Sequence, residues 1–458
     1  MQNPTESKKP HAVVIGSSIA GMLTARILMQ YFERVTIIER DQLPATPQFR
    51  AGTPQARHPH ILLKQGELII EKFFPGITAE LYENGAVPIN FGSDTKWIIG
   101  NQQRPTYESK LVSVAGSRIF LEGTIRNRLR AYPDVTFVDD HEVTGLLTDD
   151  ENRQVRGVQI RQRGEGANTR EVLANLVVDA SGRQSKAPEW LAALGYQAPA
   201  ELSVNSFAGY STRVYERPTG QNWKFLYVQP SAPANSRGLV MIPMEGNRLH
   251  VCLVGLNADY PPTDEEGYLE FVRSLGIDEA YELLKELKPL SPIVGYRRAE
   301  NRLRRYDLMP SRPENFLLIG DSVYALNPVY AQGMSVAAIS AETLDNCIQE
   351  AGSEFTCLAE NFQKQLVGVI MLAWQMAVGE DLRWSNTQVS GEMEEAGPEA
   401  ALLQNYMDQV IQASLKNPNV AETFYQVMNM VEAPTVFFRP DVVLQVAAEM
   451  SGALSQQK

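Results

Sequence analysis

Residues 11–41 read HAVVIGSSIAGMLTARILMQYFERVTIIERD, and this stretch decides the fold. The unbroken apolar run 12–15 predicts a strand that is buried on both faces, as in a parallel sheet. A turn at 16–21 opens a helix that is expected to reach Tyr31, and a second strand is predicted at 34–38. This order of strand, turn, helix and strand is typical of a βαβ unit that binds a nucleotide.

The turn has the features that a dinucleotide needs. Gly16 permits a tight turn, Gly21 lets the helix lie close to the strand, and amides at the helix N-terminus face a pyrophosphate. Glu39 follows the second strand about 20 residues beyond the turn, where a carboxylate can accept ribose hydroxyls. The middle glycine of the G-x-G-x-x-G pattern is replaced by Ser18. The predicted dinucleotide contacts are Gly16, Ser17, Ser18, Ile19, Ala20, Gly21, Glu39 and Arg40.

The composition is that of an ordinary globular protein, with 458 residues, 44% hydrophobic and 21% charged. The net charge of -12 argues against a nucleic-acid partner, for which a basic patch is expected. The three cysteines are scattered and the five histidines include only one close pair. We therefore expect no disulfide framework and no metal site.

Two segments bear on location. Residues 1–10 are polar and lack the apolar core of a signal peptide, so a cytoplasmic protein is expected. The longest apolar run, 366–378, is too short to span a bilayer and carries Gln375. This run predicts a core helix or the wall of an apolar tunnel, with no transmembrane segment.

Two segments after the βαβ unit carry polar side chains that could reach a cofactor. The long loop 43–60 has no helical or strand periodicity, and such loops are often functional. We expect Arg50 near the phosphates or ribose and 55–60, with Gln55, His58 and His60, near a reactive ring. Ser117 starts a predicted helix ending before Pro133, whose arginines form mostly a solvated face, with Arg118 alone directed toward the cofactor.

Two later strands also end in acids. Residues 173–179 predict a buried strand that ends at Asp179, and Ser181 and Gly182 follow. Residues 316–321 return to the parallel-strand pattern and end at Gly320 and Asp321. A further loop then leads to a helix N-terminus at Gly333, which can stabilise negative charge on a ligand. This loop contributes Asn327, Pro328, Tyr330, Gln332, Gly333 and Met334 to the predicted site.

Between these strands the pattern changes. Residues 135–138, 142–148 and 155–163 predict an antiparallel cover on the sheet, and 201–255 alternate with period two and carry many aromatics. We interpret 201–255 as an antiparallel sheet forming one wall of a substrate pocket, with 238–243 and 248–256 predicted to form a hairpin. Residues 264–287 and most of 354–458 are predicted to be helical.

The motifs, taken in order, resemble the single-component FAD-dependent monooxygenases of the aromatic-hydroxylase (p-hydroxybenzoate hydroxylase-like) fold. The closest resemblance is to the branch of bacterial polyketide epoxidases, squalene-epoxidase-like and geranylgeranyl-reductase-like proteins, which commonly show G-G-S-x-A-G at the first turn. The loop 50–60 with Leu62-Leu63, the stretch 188–191 and the tail 437–440 are also similar to that branch. Ala331 stands where the family usually has glycine.

The resemblance implies an α/β (α+β) fold with three regions. A discontinuous Rossmann-like FAD-binding domain with a parallel sheet would comprise 1–85, 104–200 and 296–350. An inserted antiparallel-sheet substrate domain would comprise 86–103 and 201–295. A helical C-terminal region would comprise 351–458.

The resemblance also implies a reaction. NADPH or NADH would reduce FAD, and O2 would form a flavin C4a-hydroperoxide that epoxidises or hydroxylates a small, lipophilic, natural-product-like alkene or aromatic. The catalytic set would be Asn327, Tyr330, Gln332, Gly333 and His60, with segment 327–334 against the isoalloxazine. His58 and His60 would donate protons or hold the loop. The remaining predicted residues would bind the cofactor.

Three alternatives stay open. A flavin-dependent halogenase shares the fold, but its W-x-W-x-I-P signature is absent, since Ile242-Pro243 follows Val240-Met241, and Lys64 is expected to be solvated. A reductase of isoprenoid double bonds would use the same cofactor motifs without oxygen. A non-enzymatic flavoprotein would bind FAD without turnover. Substrate, nicotinamide cofactor and oligomeric state are undetermined by the sequence.

Overall fold

The computed structural model describes residues 10–164, 168–352, 355, 357–393 and 397–456. The strands within them are β1 (His11–Ile15), β2 (Arg34–Ile38), β3 (Val87–Asn90), β4 (Thr95–Ile99), β5 (Gln102–Gln103), β6 (Val112–Ala115), β7 (Val135–Val138), β8 (His141–Thr148), β9 (Val155–Gln162), β10 (Thr169–Leu173), β11 (Leu176–Asp179), β12 (Glu201–Asn205), β13 (Gly209–Glu216), β14 (Phe225–Gln229), β15 (Arg237–Met244), β16 (Arg248–Gly255), β17 (Val294–Tyr296), β18 (Asn301–Arg304), β19 (Phe316–Leu318), β20 (Tyr324–Ala325) and β21 (Gln388–Ser390).

The α-helices are α1 (Ile19–Leu28), α2 (Lys64–Phe73), α3 (Ile77–Glu83), α4 (Arg118–Arg130), α5 (Ala187–Ala193), α6 (Glu265–Ser274), α7 (Asp278–Glu286), α8 (Gly333–Ala351), α9 (Leu358–Asp381), α10 (Pro398–Ser414), α11 (Pro418–Met428) and α12 (Pro440–Gln456).

A parallel five-stranded sheet forms the centre, in the order β19-β11-β1-β2-β7. Strands β1 and β11 are buried along their whole length, as their apolar sequences predict. Helix α1 packs against α8, which also contacts α2 and α9. The mixed α/β fold predicted from the sequence is therefore confirmed, with the parallel sheet at its core.

The predicted meander at 135–163 is divided between two sheets. Strand β7 pairs in parallel with β2 at the edge of the central sheet, so its placement in an antiparallel cover was wrong. Strands β8 and β9 form that cover together with β10, and β9 packs onto β11. Only residues 139–140 connect β7 to β8. The chain therefore passes from the central sheet to the antiparallel cover within two residues.

The second large layer is a seven-stranded sheet in the order β17-β13-β16-β15-β14-β4-β5. The hairpin predicted between 238 and 256 is confirmed as β15 and β16. Helices α6 and α7 pack on this sheet through a cluster that includes Tyr215, Trp223 and Phe271. The single helix predicted over 264–287 is broken because Gly276, with φ +69°, ends α6 in the left-handed conformation.

A four-stranded sheet, β20-β18-β12-β21, joins distant parts of the chain. Strand β12 pairs on one side with β18 and on the other with β21. These three strands fall in three different predicted regions, so hydrogen bonds cross the predicted boundaries at 201, 296 and 351. The division into domains stays a prediction.

The apolar run 366–378 lies in the 24-residue helix α9. Leu366, Ile370 and Ala377 are buried in the main core, whereas Trp374 and Val378 also line a cavity. Both predicted roles of this run, core helix and cavity wall, therefore hold. Over the described ranges, no helix combines the length and apolar character needed to cross a membrane.

Candidate active site

One cavity of about 1740 Å³ extends from the turn at 16–21 to the C-terminal helices. At the turn, its wall is formed by Ser18, Ile19 and Ala20 at the N-terminus of α1. At its other end the wall is mostly apolar, with aromatic side chains from the seven-stranded sheet and from α9 and α11 and a few polar groups such as Gln229 and Gln375. These aromatic side chains include Trp97, Tyr210, Phe225, Tyr227, Trp374 and Phe424.

The glycines of the turn are required by close backbone contacts. Gly16 has φ +98°, and a Cβ there would lie 2.6 Å from the carbonyl oxygen of Ala180. A Cβ on Gly21 would lie 1.9 Å from the carbonyl oxygen of Gly16. Because β1, the turn and the segment after β11 approach so closely, the N-terminus of α1 stays open toward the cavity.

Ser18, which replaces the expected middle glycine, has a defined role. Its hydroxyl accepts a hydrogen bond from Arg118 Nη2 (2.7 Å) and lies 3.2 Å from Glu122 Oε2. Arg118 Nε also contacts Glu122 Oε2 at 3.2 Å. The hydroxyl therefore connects the turn to α4, and Arg118 lies in the cavity wall. Its contact with the cofactor stays a prediction.

Glu39 and Arg50 lie beneath the turn. Glu39 Oε2 accepts hydrogen bonds from the Ser17 amide (2.9 Å) and hydroxyl (2.7 Å), and it pairs with Arg50 Nη1 at 3.0 Å. Arg50 also contacts Asp41 and Glu122. Both side chains are at least nine-tenths buried and outside the cavity wall. Contact of Glu39 with ribose and of Arg50 with phosphates or ribose stays a prediction.

Glu122 is a site residue that sequence reasoning missed. Burial opposes its ionisation, but the charges and hydrogen bonds of Arg50 and Arg118 together lower the pKa of this carboxyl. The only available signal was its spacing four residues after Arg118 on a helix. The arginines of α4 were expected on a solvated face, which is wrong for Arg126, since its side chain is 2% exposed.

Two further turns meet the start of α1. Asp179 is fully buried and accepts hydrogen bonds from the Ser181 amide (2.8 Å) and the Ser185 hydroxyl (2.6 Å). Burial raises the pKa of Asp179, against the effect of these hydrogen bonds. Gly320, with φ +64°, approaches α1, and a Cβ there would lie 2.8 Å from Ala20 Cβ. The carboxyl ends of β1, β11 and β19 thus form one edge of the cavity.

The loop before α8 supplies the opposite edge. Tyr330, Gln332 and Gly333 line the cavity, and the Gln332 side chain is 2% exposed. Gln332 Oε1 is buried without a hydrogen-bond partner in the described part of the chain. Ala331 has φ +56°, a conformation that costs a residue with a Cβ about 1–2 kcal/mol. This explains why glycine would suit that position.

The two histidines of the long loop are held in place by short contacts. His58 Nδ1 lies 2.7 Å from Thr212 Oγ1, and His60 Nδ1 lies 3.0 Å from the carbonyl oxygen of His58. Burial lowers the pKa of His58 to about 4 and that of His60 to about 3. Both imidazoles are therefore neutral at pH 7, so neither acts there as a cationic proton donor.

The comparisons with known proteins agree with this geometry. A family model described as FAD binding domain matches residues 9–351. The chain belongs to this family. It is an FAD-dependent oxidoreductase. Protein Rv3254 of Mycobacterium tuberculosis is 27% identical to the flavoenzyme over 435 residues, which cover 93% of this chain and 90% of the relative.

Solved structures share the fold. A flavoprotein/dehydrogenase from Cytophaga hutchinsonii matches with a TM-score of 0.66 and 15% identity, covering 97% of this chain and 99% of that one. The flavin-dependent brominase Bmp2 matches with a TM-score of 0.63 and 15% identity, covering 98% and 99%. PqsL of Pseudomonas aeruginosa, a probable FAD-dependent monooxygenase, matches with a TM-score of 0.59 and 15% identity, covering 81% of this chain and 97% of that one.

The residues of the flavoenzyme fit FAD. The glycine turn leaves no room for extra Cβ atoms beside the N-terminus of α1, which suits a pyrophosphate. Gln332 Oε1 and His58 Nε2 are buried without protein partners in the described residues, at the cavity edge where a ring system would lie. FAD would be held by the turn, by the segment 180–182 and by the loop before α8.

Sixteen of the predicted site residues line the cavity: Ser18, Ile19, Ala20, Arg40, Gln55, His58, His60, Arg118, Ser181, Gly182, Asp321, Pro328, Tyr330, Gln332, Gly333 and Met334. Eight lie behind its wall: Gly16, Ser17, Gly21, Glu39, Arg50, Asp179, Gly320 and Asn327. The individual roles of all these residues stay predictions. Within the described ranges, no group of three His, Cys, Asp or Glu side chains could hold a metal ion.

Lys64, considered for the halogenase alternative, does not line the cavity. Its ammonium pairs with Glu67 at 2.7 Å near the start of α2, and the side chain is 24% exposed. Sequence reasoning also missed Asp381, at the end of α9, which contacts the loop before α8. No motif near Asp381 indicates this contact, because it joins residues that are far apart in the chain.

Proposed function

We propose that the flavoenzyme is a monooxygenase that uses NAD(P)H and O2 to insert one oxygen atom into a lipophilic alkene or aromatic ring. The observation that carries this proposal is the continuity of the cavity between the glycine turn and an apolar chamber. Its volume of about 1740 Å³ exceeds the roughly 300–1,000 Å³ of an ordinary ligand pocket. There is room for FAD and for a second, apolar molecule.

The proposed reaction balances as follows. NAD(P)H, a proton, O2 and substrate give NAD(P)+, water and a product that contains one oxygen atom from O2. Bound FAD supplies hydride acceptance and oxygen activation. The chain itself orients both molecules and excludes water from the reacting atoms.

Residues of the chain divide these tasks. The N-terminus of α1 binds the pyrophosphate, and Gln332 and Tyr330 orient the ring system from the loop before α8. Trp97, Tyr227 and Phe424 hold the apolar substrate and keep water out. His58 is fixed through Thr212 and stays neutral, so it places a polar group in the wall without a buried charge.

The experiment uses two probes, geranylgeraniol for alkenes and 1-naphthol for phenols, with NADPH or NADH under isotope-labelled O2. We expect NAD(P)H oxidation to rise with one probe and the product to gain one labelled oxygen atom. A product that gains two hydrogen atoms without oxygen uptake would make the protein a double-bond reductase. Release of all consumed oxygen as hydrogen peroxide with both probes would contradict the proposed substrate class.

Helix α10 offers a matched pair of variants. Leu403 is 50% exposed and lies at the rim of the cavity, whereas its neighbour Leu402 is 72% exposed and outside the cavity wall. Leu403→Trp is expected to raise the KM for the accepted probe about tenfold, a loss that corresponds to about 1.4 kcal/mol. Leu402→Trp is expected to leave that KM unchanged. If Leu403→Trp also kept the wild-type KM, the substrate would bind elsewhere.

A further inference from the structure

Asp381 is the last residue of α9, and its side chain is fully buried. Its carboxylate accepts hydrogen bonds from Asn301 Nδ2 at 2.6 Å, from Asn327 Nδ2 at 3.1 Å and from the Tyr330 hydroxyl at 2.8 Å. The two amide nitrogens can only donate, and Ser206 also hydrogen-bonds to this carboxyl. Burial raises the pKa of Asp381, and the hydrogen bonds oppose that effect. In the described part of the chain, no Lys or Arg forms an ion pair with it.

The contacts of Asp381 fix a turn that the cavity depends on. Asn327 Oδ1 accepts hydrogen bonds from the Val329 amide (3.2 Å) and from the Tyr210 hydroxyl (3.0 Å). The backbone N–H of Asn327 donates a hydrogen bond to Asn301 Oδ1 at 2.7 Å. The turn is therefore held from its N-terminal side by side chains of β13, β18 and α9.

This turn contains local strain. Ala331 follows Tyr330 and adopts φ +56°, a conformation that persists only where surrounding contacts determine it. Tyr330 is partly exposed to the cavity, and its hydroxyl is tied to Asp381. If the carboxylate were lost, the ring of Tyr330 and the strained turn beside it would be free to move into the cavity.

We propose that Asp381 is a positioning residue for the flavin ring, acting through Tyr330 and Asn327. The carboxylate accepts the hydrogen of the Tyr330 hydroxyl and holds Asn327, so it fixes the 327–331 turn at the cavity wall, where FAD would be held. Through these two residues, the C-terminal helical region contributes to the cofactor site. This inference rests on the proposed function only for the activity measurement; the flavin measurements need no substrate.

The test compares Asp381→Asn, Tyr330→Phe and the double variant as holoenzymes. Asparagine would direct an amide N–H against one of the donors, so we expect a changed visible circular dichroism spectrum of bound FAD and about a tenfold lower kcat. Tyr330→Phe keeps the ring and loses only the hydroxyl, and it should show part of the same change. Because the two groups act through one hydrogen bond, the double variant should be no worse than Asp381→Asn.

Glu360→Gln is the matched control, since it removes an exposed carboxylate from the same helix, where Glu360 pairs with Lys364. It should keep the wild-type flavin spectrum and reduction potential. If Asp381 were merely structural, its variant would melt at a lower temperature with an unchanged flavin spectrum in the folded protein. That result would overturn the inference. If Asp381→Asn does not fold, Tyr330→Phe decides the question, and a wild-type flavin spectrum in Tyr330→Phe would also overturn the inference.

The outcomes separate this inference from the proposed function. A changed flavin spectrum in Asp381→Asn, together with a wild-type enzyme that oxygenates neither probe, would support the positioning role and contradict the proposed reaction. If the wild-type enzyme oxygenates a probe and all variants have identical flavin spectra, the proposed reaction would be supported and the positioning role of Asp381 would be contradicted.

Discussion

At the scale of single residues, the glycines of the first turn limit what the cofactor site tolerates. Gly21→Ala places a methyl group 1.9 Å from the Gly16 carbonyl oxygen, so the strand and helix must separate. We expect the free energy of unfolding to fall by about 3 kcal/mol, with loss of bound FAD. Urea unfolding and flavin absorbance measure both effects.

Gly368→Ala is the control for that substitution. Gly368 lies in α9 with no atom within 4 Å of an added Cβ, so alanine should raise the free energy of unfolding by about 0.5–1 kcal/mol. Equal stability of the two variants would show that the close contact at Gly21 is absent.

The same residues show how far sequence reasoning reaches. Gly16, Gly21 and the strand ends were predicted because local spacing specifies them. The role of the Ser18 hydroxyl was not predictable, because its partners Arg118 and Glu122 lie about one hundred residues away on another helix. Side-chain partners that distant leave no periodic signal in a single sequence.

At the scale of elements, α4 carries the electrostatic support of the turn. Glu122→Gln removes the carboxylate shared by Arg50 and Arg118 and leaves both guanidinium groups with fewer partners. Breaking such a buried pair should lower the free energy of unfolding by about 3 kcal/mol, as measured by chemical denaturation.

A surface pair provides the comparison for α4. Glu142→Gln breaks the pair with Arg161 across β8 and β9, which is largely exposed to solvent. Its effect on the free energy of unfolding should stay below about 1 kcal/mol. A similar loss in both variants would mean that the cluster beneath the turn contributes no more than a surface ion pair.

The elements themselves were largely predictable. Strands β1, β2 and β7 and the hairpin of β15 and β16 lie where the apolar patterns placed them. The sheet to which β7 belongs was not predictable. Strand β7 pairs with β2, which is distant in the sequence, and local alternation does not encode such pairing. The break at Gly276 was missed, since a glycine inside an amphipathic pattern can either continue or end a helix.

At the scale of the whole molecule, three histidines with lowered pKa values link stability to pH. Burial lowers the pKa of His58 to about 4 and the pKa values of His60 and His250 to about 3, against 6.5 for an ordinary histidine. Between pH 6.5 and 4 the unfolded chain therefore binds more protons than the folded one. The free energy of unfolding should fall as the pH is lowered through this range.

The contribution of one histidine can be isolated. Each one adds a slope of at most about 1.4 kcal/mol per pH unit, so His250→Gln should reduce the pH dependence by that amount. Urea unfolding of both proteins at several pH values between 6.5 and 4 measures the two slopes. Parallel curves would indicate that His250 is not buried in its neutral form.

The arrangement of the whole cavity was only partly predictable. The apolar run 366–378 indicated a tunnel wall, and the aromatics of 201–255 indicated a pocket. Asp381 could not be assigned, because its partners Asn301, Asn327 and Tyr330 come from β18 and from the loop before α8, far from it in the chain. Only the folded chain brings them to one carboxylate.

The four-stranded sheet has a consequence for how the protein is made. Strand β12 leaves the ribosome long before β21, and at about 5–20 residues per second the interval is roughly 10–40 seconds. During that time one edge of β12 has no partner, and an unpaired edge can recruit other chains. Pairing along this edge of β12 is thus a late event, because it needs residues 388–390 to have been synthesised.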